Sequence, residues 1–264
     1  MLKRRHFTRR GPDFRRGEQV SFNDIKQVFG LNHIRLGSWV DDEEKHKAAN
    51  LIFDGLADLA YILKLPPQAI GLRQTLNLAF GSGGQPGVQA HYMPAHRELA
   101  LAKNAGAGAL AHEFWHAFDH YIAPKAYQLR TESNRGTAFA SSCWLSEVSA
   151  ISHPLNQRLE QLFHTTMLSQ DGLDSHDYVA RAVALDKQQG NYYFAKPTEL
   201  MARAFEACIE AHPEIDNAYL ADDIQGSSLA KAGGYPDLKH QQQILQQLLN
   251  YFEPLGEALS QQTP

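Results

Sequence analysis

The 264 residues include only two cysteines, Cys143 and Cys208, too few for a disulfide framework or for a cysteine-rich metal site. Cys208 falls in an apolar helical pattern and is expected as a buried thiol. No stretch reaches the ~18 apolar residues of a membrane span, so no membrane contact is expected. The amino terminus is basic but lacks the apolar core of a secretory signal, and the chain reads as cytoplasmic. Internal repeats are absent. The glycine cluster Gly81-Ser82-Gly83-Gly84-Gln85-Pro86-Gly87 is not followed by Gly-Lys-Ser/Thr. A strand-like segment comes next, where a nucleotide site needs a helix, which excludes a phosphate loop and leaves a wide hairpin loop.

What is present is a globular composition, 43% hydrophobic and 20% charged, with a formal net charge of −4. It suits a single domain over residues 21–255, between a basic, disordered arm (1–20) and a flexible tail (256–264). Residues 1–16 hold seven Lys or Arg against one acid, Asp13. Such an arm is either a solvated tail or a weak contact for nucleic acid or an acidic partner. No aromatic interleaving supports nucleic-acid reading, which favours the tail.

Asp41-Asp42-Glu43-Glu44 reads as the acidic first turn of a helix. Leu51, Ile52, Leu56, Leu59, Ala60 and Leu63 follow at helical spacing, and Pro66-Pro67 stops the run. Strands are predicted over 75–80, 88–92 and 99–102, with a turn at 104–108. Helical patterns cover 141–167, with polar interruptions, then 177–186 and about 197–210. Ile244, Leu245, Leu248, Leu249 and Phe252 mark a last amphipathic helix.

The chemistry concentrates in His112-Glu113-Phe114-Trp115-His116, inside an apolar, helix-compatible run. Residues four apart share one helix face, so His112 and His116 can offer two imidazoles to one ion. Glu113 lies beside them, where a carboxylate can take a proton from a metal-bound water. Two histidines and a glutamate in apolar surroundings are costly unless a metal or hydrogen bonds satisfy them. A catalytic zinc takes three protein ligands and one water. His120 is excluded as the third, because it stands ~12 Å from His112 along the helix axis. Asp119 and Ile122 also break the extended metzincin pattern. Glu199 is the better candidate, in the first turn of an apolar helix where the dipole favours an ionised carboxylate. Glu206, two turns on, is the alternative ligand or a supporting acid. His91, Tyr92 and His96 are placed beside the cleft, outside the catalytic set.

Several blocks carry a resemblance: Ala90-His91-Tyr92, Gly106 through Asp119, and Tyr193-Phe194-Ala195-Lys196-Pro197-Thr198-Glu199 with Ala202-Arg203-Ala204-Phe205-Glu206-Ala207. They resemble a bacterial family of zinc metallopeptidases named for its likeness to the peptidase region of chloride-channel accessory proteins. They are also similar to a zincin-like domain of large polyvalent proteins from phages and mobile elements. A weaker similarity reaches the anthrax-lethal-factor type of gluzincin. The likeness runs from about residue 22 to 252. It implies an α+β, mainly helical zincin-like metallopeptidase fold with a small mixed sheet beside the metal-binding helix. It further implies one Zn²⁺ held by His112, His116 and Glu199, Glu113 as general base, and an oxyanion-stabilising tyrosine at Tyr193 or Tyr192. The implied substrate is a peptide or protein. Arg203 departs from the pattern, standing where gluzincins often carry an acid that orients a histidine. The resemblance leaves that task to Asp119 or Glu206. Two alternatives stand beside the peptidase: a metal-stabilised binding protein without turnover, and a nucleic-acid-associated factor using the arm.

Overall fold

Ser21 and Asp24 cap each other's backbone amides, which starts helix α1 (Phe22–Val28). The computed structural model to which this helix belongs describes residues 7–38, 40–81, 90–102, 109–129 and 136–261. Strand β2 (His33–Leu36) follows, preceded in the chain by the short β1 (Arg9–Arg10). Helix α2 (Asp42–Ile62) is capped by Asp41, whose carboxylate accepts the Glu44 amide at 2.8 Å. Its predicted apolar stripe buries Ile52, Leu56, Leu59 and Ala60, and the helix stops ahead of Pro66 as expected.

A single turn of 3₁₀ helix (Pro67–Gly71) then leads into a run of three left-handed residues, Leu72, Arg73 and Gln74, with φ of 51°, 57° and 58°. Each costs roughly 1–2 kcal/mol in a residue with a Cβ. Thr75 Oγ1 bonds Leu72 O at 2.7 Å and holds the turn closed. Strands β3 (Asn77–Phe80), β4 (Ala90–Met93) and β5 (Glu98–Leu101) complete a four-stranded mixed sheet ordered β2-β3-β5-β4. β2, β3 and β5 are parallel, and β4 is an antiparallel edge. Leu78 and Phe80 pair in register with Leu99 and Leu101, which puts large apolar side chains on one face. β3, β4 and β5 match the predicted segments within a few residues, whereas β2 has no predicted counterpart. The loop from Ser82 and the 104–108 turn lie outside the described residues, but the hairpin expectation is corrected by the sheet order: β5 lies between β3 and β4, so this segment joins strands that are not paired.

Helix α3 (Ala109–Ala126) runs beside β4 and packs on a later helix, α7 (Pro197–Glu210). Trp115 is fully buried between Phe205 and Phe118, with ring centroids 5.0 and 5.4 Å away. Between these two helices come α4 (Ala140–Leu145), α5 (Pro154–Met167) and α6 (Asp177–Gln189). The predicted 141–167 pattern is thus interrupted at 146–153, where Ala150 bridges Tyr127 and Pro154 opens a new helix. A two-residue strand β6 (Asp216–Asn217), the short α8 (Ser228–Lys231) and α9 (Leu238–Ser260) finish the chain. The α+β expectation with a small mixed sheet therefore holds.

Two boundary expectations need correction. From Phe7 the arm is not a disordered tail: β1 pairs with β6, and Arg9 forms a two-pronged bond to buried Asp58 at 2.7 and 2.8 Å. Arg15 grips Asp54 in the same way at 2.9 and 3.0 Å. The physical reason is charge pairing: α2 carries two buried acids, and the segment's arginines neutralise them. The expected tail from residue 256 is also helical as far as Ser260, because α9 continues past Pro254 and packs Gly256 against the Lys64 backbone. Among the described residues no helix is long and apolar enough to cross a membrane.

Candidate metal centre

α3 turns Phe114, Trp115 and Phe118 into the core, which leaves His112, Glu113 and His116 on the opposite side. α7 does the converse. Leu200, Met201, Phe205 and Cys208 are buried, while Glu199 and Glu206, seven residues apart and thus on one stripe, face α3. His112 Nε2 lies 3.4 Å from one oxygen of Glu199, and His116 Nε2 lies 3.4 Å from the other. One ligand atom from each of the three residues falls within 4.8 Å of the others. A tetrahedral ion with bonds near ~2.05 Å separates its ligands by roughly 3.3 Å, so this spacing suits one ion.

The donor set also fits a cation on a second ground. Glu199 Oε2 is buried and makes no hydrogen bond. Such an atom is costly unless a positive group meets it. His112, His116 and Glu199 could therefore hold a metal ion together.

Burial opposes charge on His112, but Glu206, Glu199 and Glu113 outweigh it and push its pKa up to about 10. His116 moves the other way, to about 4, through burial and then the charge of His112. Burial works against ionised Glu199, yet the two histidines bring it down to about 2. Glu113 is raised to about 7, chiefly by burial. The three candidate ligands thus balance one imidazolium against one carboxylate, and a divalent ion could take the place of the His112 proton between the same groups.

Glu113 is fixed by the edge strand: the Tyr92 amide donates to its Oε2 at 2.7 Å. Tyr92 also reaches His120 through its hydroxyl, 2.7 Å from Nδ1, and His120 Nε2 meets Gly136 O at 3.1 Å. His120 thus ties β4 to α3 and stands apart from the three ligands, as the helix geometry requires. Of the two tyrosines, Tyr193 interacts with Glu199; burial and then the charge of Glu199 raise its pKa. Both rings are exposed, Tyr192 at 64% and Tyr193 at 43%.

Tyr193 owes its position to Asp186. The amides of Tyr193, Phe194 and Ala195 all donate to this carboxylate at 2.8 Å, and Pro197 then starts α7. Sequence reasoning passes over Asp186, although an acid closing a helix just before Gly190 is a usable signal. Of the two acids named for the task left open by Arg203, Glu206 is the one that lies beside His112. Its Oε1 lies 3.3 Å from His112 Nδ1 and accepts the Tyr235 hydroxyl at 2.7 Å. Asp119, the other candidate, does not approach a ligand; it accepts the Ser141 amide and hydroxyl at 2.9 and 2.6 Å. Arg203 serves the scaffold, donating to Gly234 O at 2.7 Å and Phe194 O at 2.5 Å. A separate cavity of about 540 Å³, lined by Asn32, Arg35, Asn77, Met93 and Glu98, opens on the sheet face away from α3. Arg35 and Glu98 neutralise one another there.

Residues 185–259 match the sequence model of large polyvalent protein-associated domain 1. The match begins near the end of α6 and takes in Asp186, Tyr193, Glu199, Glu206 and Tyr235, with the 112–116 segment lying outside it. No curated protein and no solved structure matches the chain. The part of the chain matching large polyvalent protein-associated domain 1 thus supplies one side of the candidate metal centre, and α3 supplies the other.

Proposed function

We propose that this chain is a zinc-dependent metallopeptidase of gluzincin layout. The observation that carries the reading is the meeting of His112, His116 and Glu199, from two helices, beside a carboxylate that is not a ligand and is held by the edge strand. Two imidazoles and one carboxylate favour zinc and leave a fourth position open. Zinc supplies Lewis acidity, which makes a water more acidic and a substrate carbonyl more electrophilic. Glu113, poised near neutrality, accepts the proton of the attacking water and returns it to the leaving amine. The Tyr92 amide keeps one Glu113 oxygen fixed, so the other is free to face the water. Tyr193, beside Glu199, is placed to donate to the oxyanion as it develops. His112 keeps its Nε2 directed inward because Glu206 engages Nδ1.

The test is Glu113→Gln in the full chain loaded with zinc. Metal content and thermal stability should stay at the wild-type level, while cleavage of casein or a mixed peptide library should fall ~10²–10⁴-fold. A zinc-loaded wild type that cleaves nothing would leave a structural metal site and end the peptidase reading.

A further inference from the structure

The turn Gly233-Gly234-Tyr235-Pro236-Asp237 between α8 and α9 is held at each of its residues. The Gly233 and Gly234 amides close α8 on Ala230 O and Leu229 O, both at 2.9 Å. Gly233 has a φ of 84°, and a Cβ there would stand 2.7 Å from Arg181 Cδ; at Gly234 it would stand 2.5 Å from Leu229 Cδ1. Two arginines take the carbonyls of the turn. Arg181 donates to Gly233 O at 3.2 Å and to Tyr235 O at 3.4 Å, and the buried Arg203 donates to Gly234 O at 2.7 Å. Pro236 restricts the backbone of the tyrosine before it. Asp237 then caps α9 by accepting the His240 amide at 3.0 Å.

The side chain so placed ends at Glu206. The Tyr235 hydroxyl donates to Glu206 Oε1 at 2.7 Å, and the same oxygen lies 3.3 Å from His112 Nδ1. Burial and then the charge of Glu206 push the Tyr235 pKa up, so the phenol keeps its proton and is the donor. One carboxylate oxygen on α7 thus joins a residue of the 233–237 turn to a residue of α3. A free glutamate side chain samples many rotamers, and a donor on a rigid backbone removes that freedom. Arg203 links this turn to Tyr193 as well, since the guanidinium that holds Gly234 O also holds Phe194 O at 2.5 Å. The two tyrosines nearest the candidate ligands are therefore anchored on one buried cation.

We propose that Tyr235 is a positioning residue of the metal centre: its hydroxyl fixes the Glu206 carboxylate, which in turn fixes the His112 ring, while Arg203 anchors the turn that carries it. This rests on the reading of His112 as a metal ligand and is independent of peptide cleavage. A partner on the far nitrogen of a ligating imidazole sets the ring's orientation and strengthens its bond to the ion. Tyr235 acts one bond further out and reaches the ion only through Glu206.

The experiment is chelator competition for zinc on the full chain. Tyr235→Phe removes a single oxygen atom and should lower zinc affinity about 3–10-fold while keeping one zinc per chain, a smaller loss than an outer partner of a ligand usually causes. In a Glu206→Ala background the same substitution should change the affinity by less than about twofold, because the carboxylate that transmits it is gone. Tyr61→Phe, which removes a tyrosine–glutamate bond of the same kind to Glu214, should leave the affinity at the wild-type level. Wild-type affinity in Tyr235→Phe overturns the positioning role. So does an equal loss with and without Glu206, which would mark a general loosening of the fold. A wild type that takes up no zinc removes the ligand reading itself and the positioning role with it. A wild type that binds zinc, responds to Tyr235→Phe and cleaves no peptide keeps the positioning role and ends the peptidase reading.

Discussion

The two halves of α3 contain the same kinds of residue and treat them in opposite ways. In the first half, His112 and His116 stand 3.4 Å from the two oxygens of Glu199, and Glu199 Oε2 opposite them is buried with no hydrogen bond. In the second half, Asp119 is fully buried and bonded twice to Ser141, and His120 is bonded at both ring nitrogens. A buried polar group that is satisfied by its own chain is structure. One that is left short of a partner, beside two imidazoles that face it, is a candidate site for something that arrives later.

The sharpest way to break this contrast is to remove one histidine from each half. His116→Ala should abolish stoichiometric zinc binding, whereas His120→Asn should keep one zinc per chain, as read by metal analysis after dialysis. Loss of zinc in both variants would erase the distinction. Glu206→Gln should have the next largest effect, lowering zinc affinity ~10–100-fold in chelator competition while leaving the stoichiometry intact. An unchanged affinity would mean that Glu206 does not orient His112.

Asp119 should have the smallest effect on the metal, none at all, and should act on stability alone. Burial raises its pKa from 3.8 to about 6, against the bonds from Ser141. Between these values the folded chain keeps a proton that the unfolded chain has released. Its contribution to stability is therefore present below pH ~4 and lost as pH rises through about 6. Urea unfolding of wild type and Asp119→Asn should diverge across that window by about 3 kcal/mol, with zinc content equal. Parallel curves would show that Asp119 is ionised throughout in the fold.

How much of this is legible varies with the range of the interaction. His112 and His116 are four apart on a helix that propensity and apolar spacing already favour, so their common face follows from local geometry. Glu199 is legible as an acid in the first turn of an apolar helix, but its approach to α3 is a packing event between segments far apart in the chain. Asp186 and Tyr235 could not be assigned, since a carboxylate bonding three amides and a phenol bonding Glu206 resemble any surface polar residue until the loops are placed. The arm misleads for the same reason: a run of cations looks like a tail when the acids that neutralise Arg15 and Arg9, Asp54 and Asp58, stand 39 and 49 residues away.

Residue order alone determined the long helices, strands β3, β4 and β5 within a few positions, and the pairing of two imidazoles with an adjacent carboxylate, because these depend on spacing within a few turns of chain; α1, β1, β2, β6 and α8 carry too short a pattern to be read that way. Tertiary structure alone decided that Tyr193 rather than Tyr192 meets Glu199, that Glu206 rather than Asp119 supports His112, and that the basic segment clasps α2. Those outcomes depend on which side chains meet after packing, and burial makes each such meeting either strongly favourable or too costly to keep.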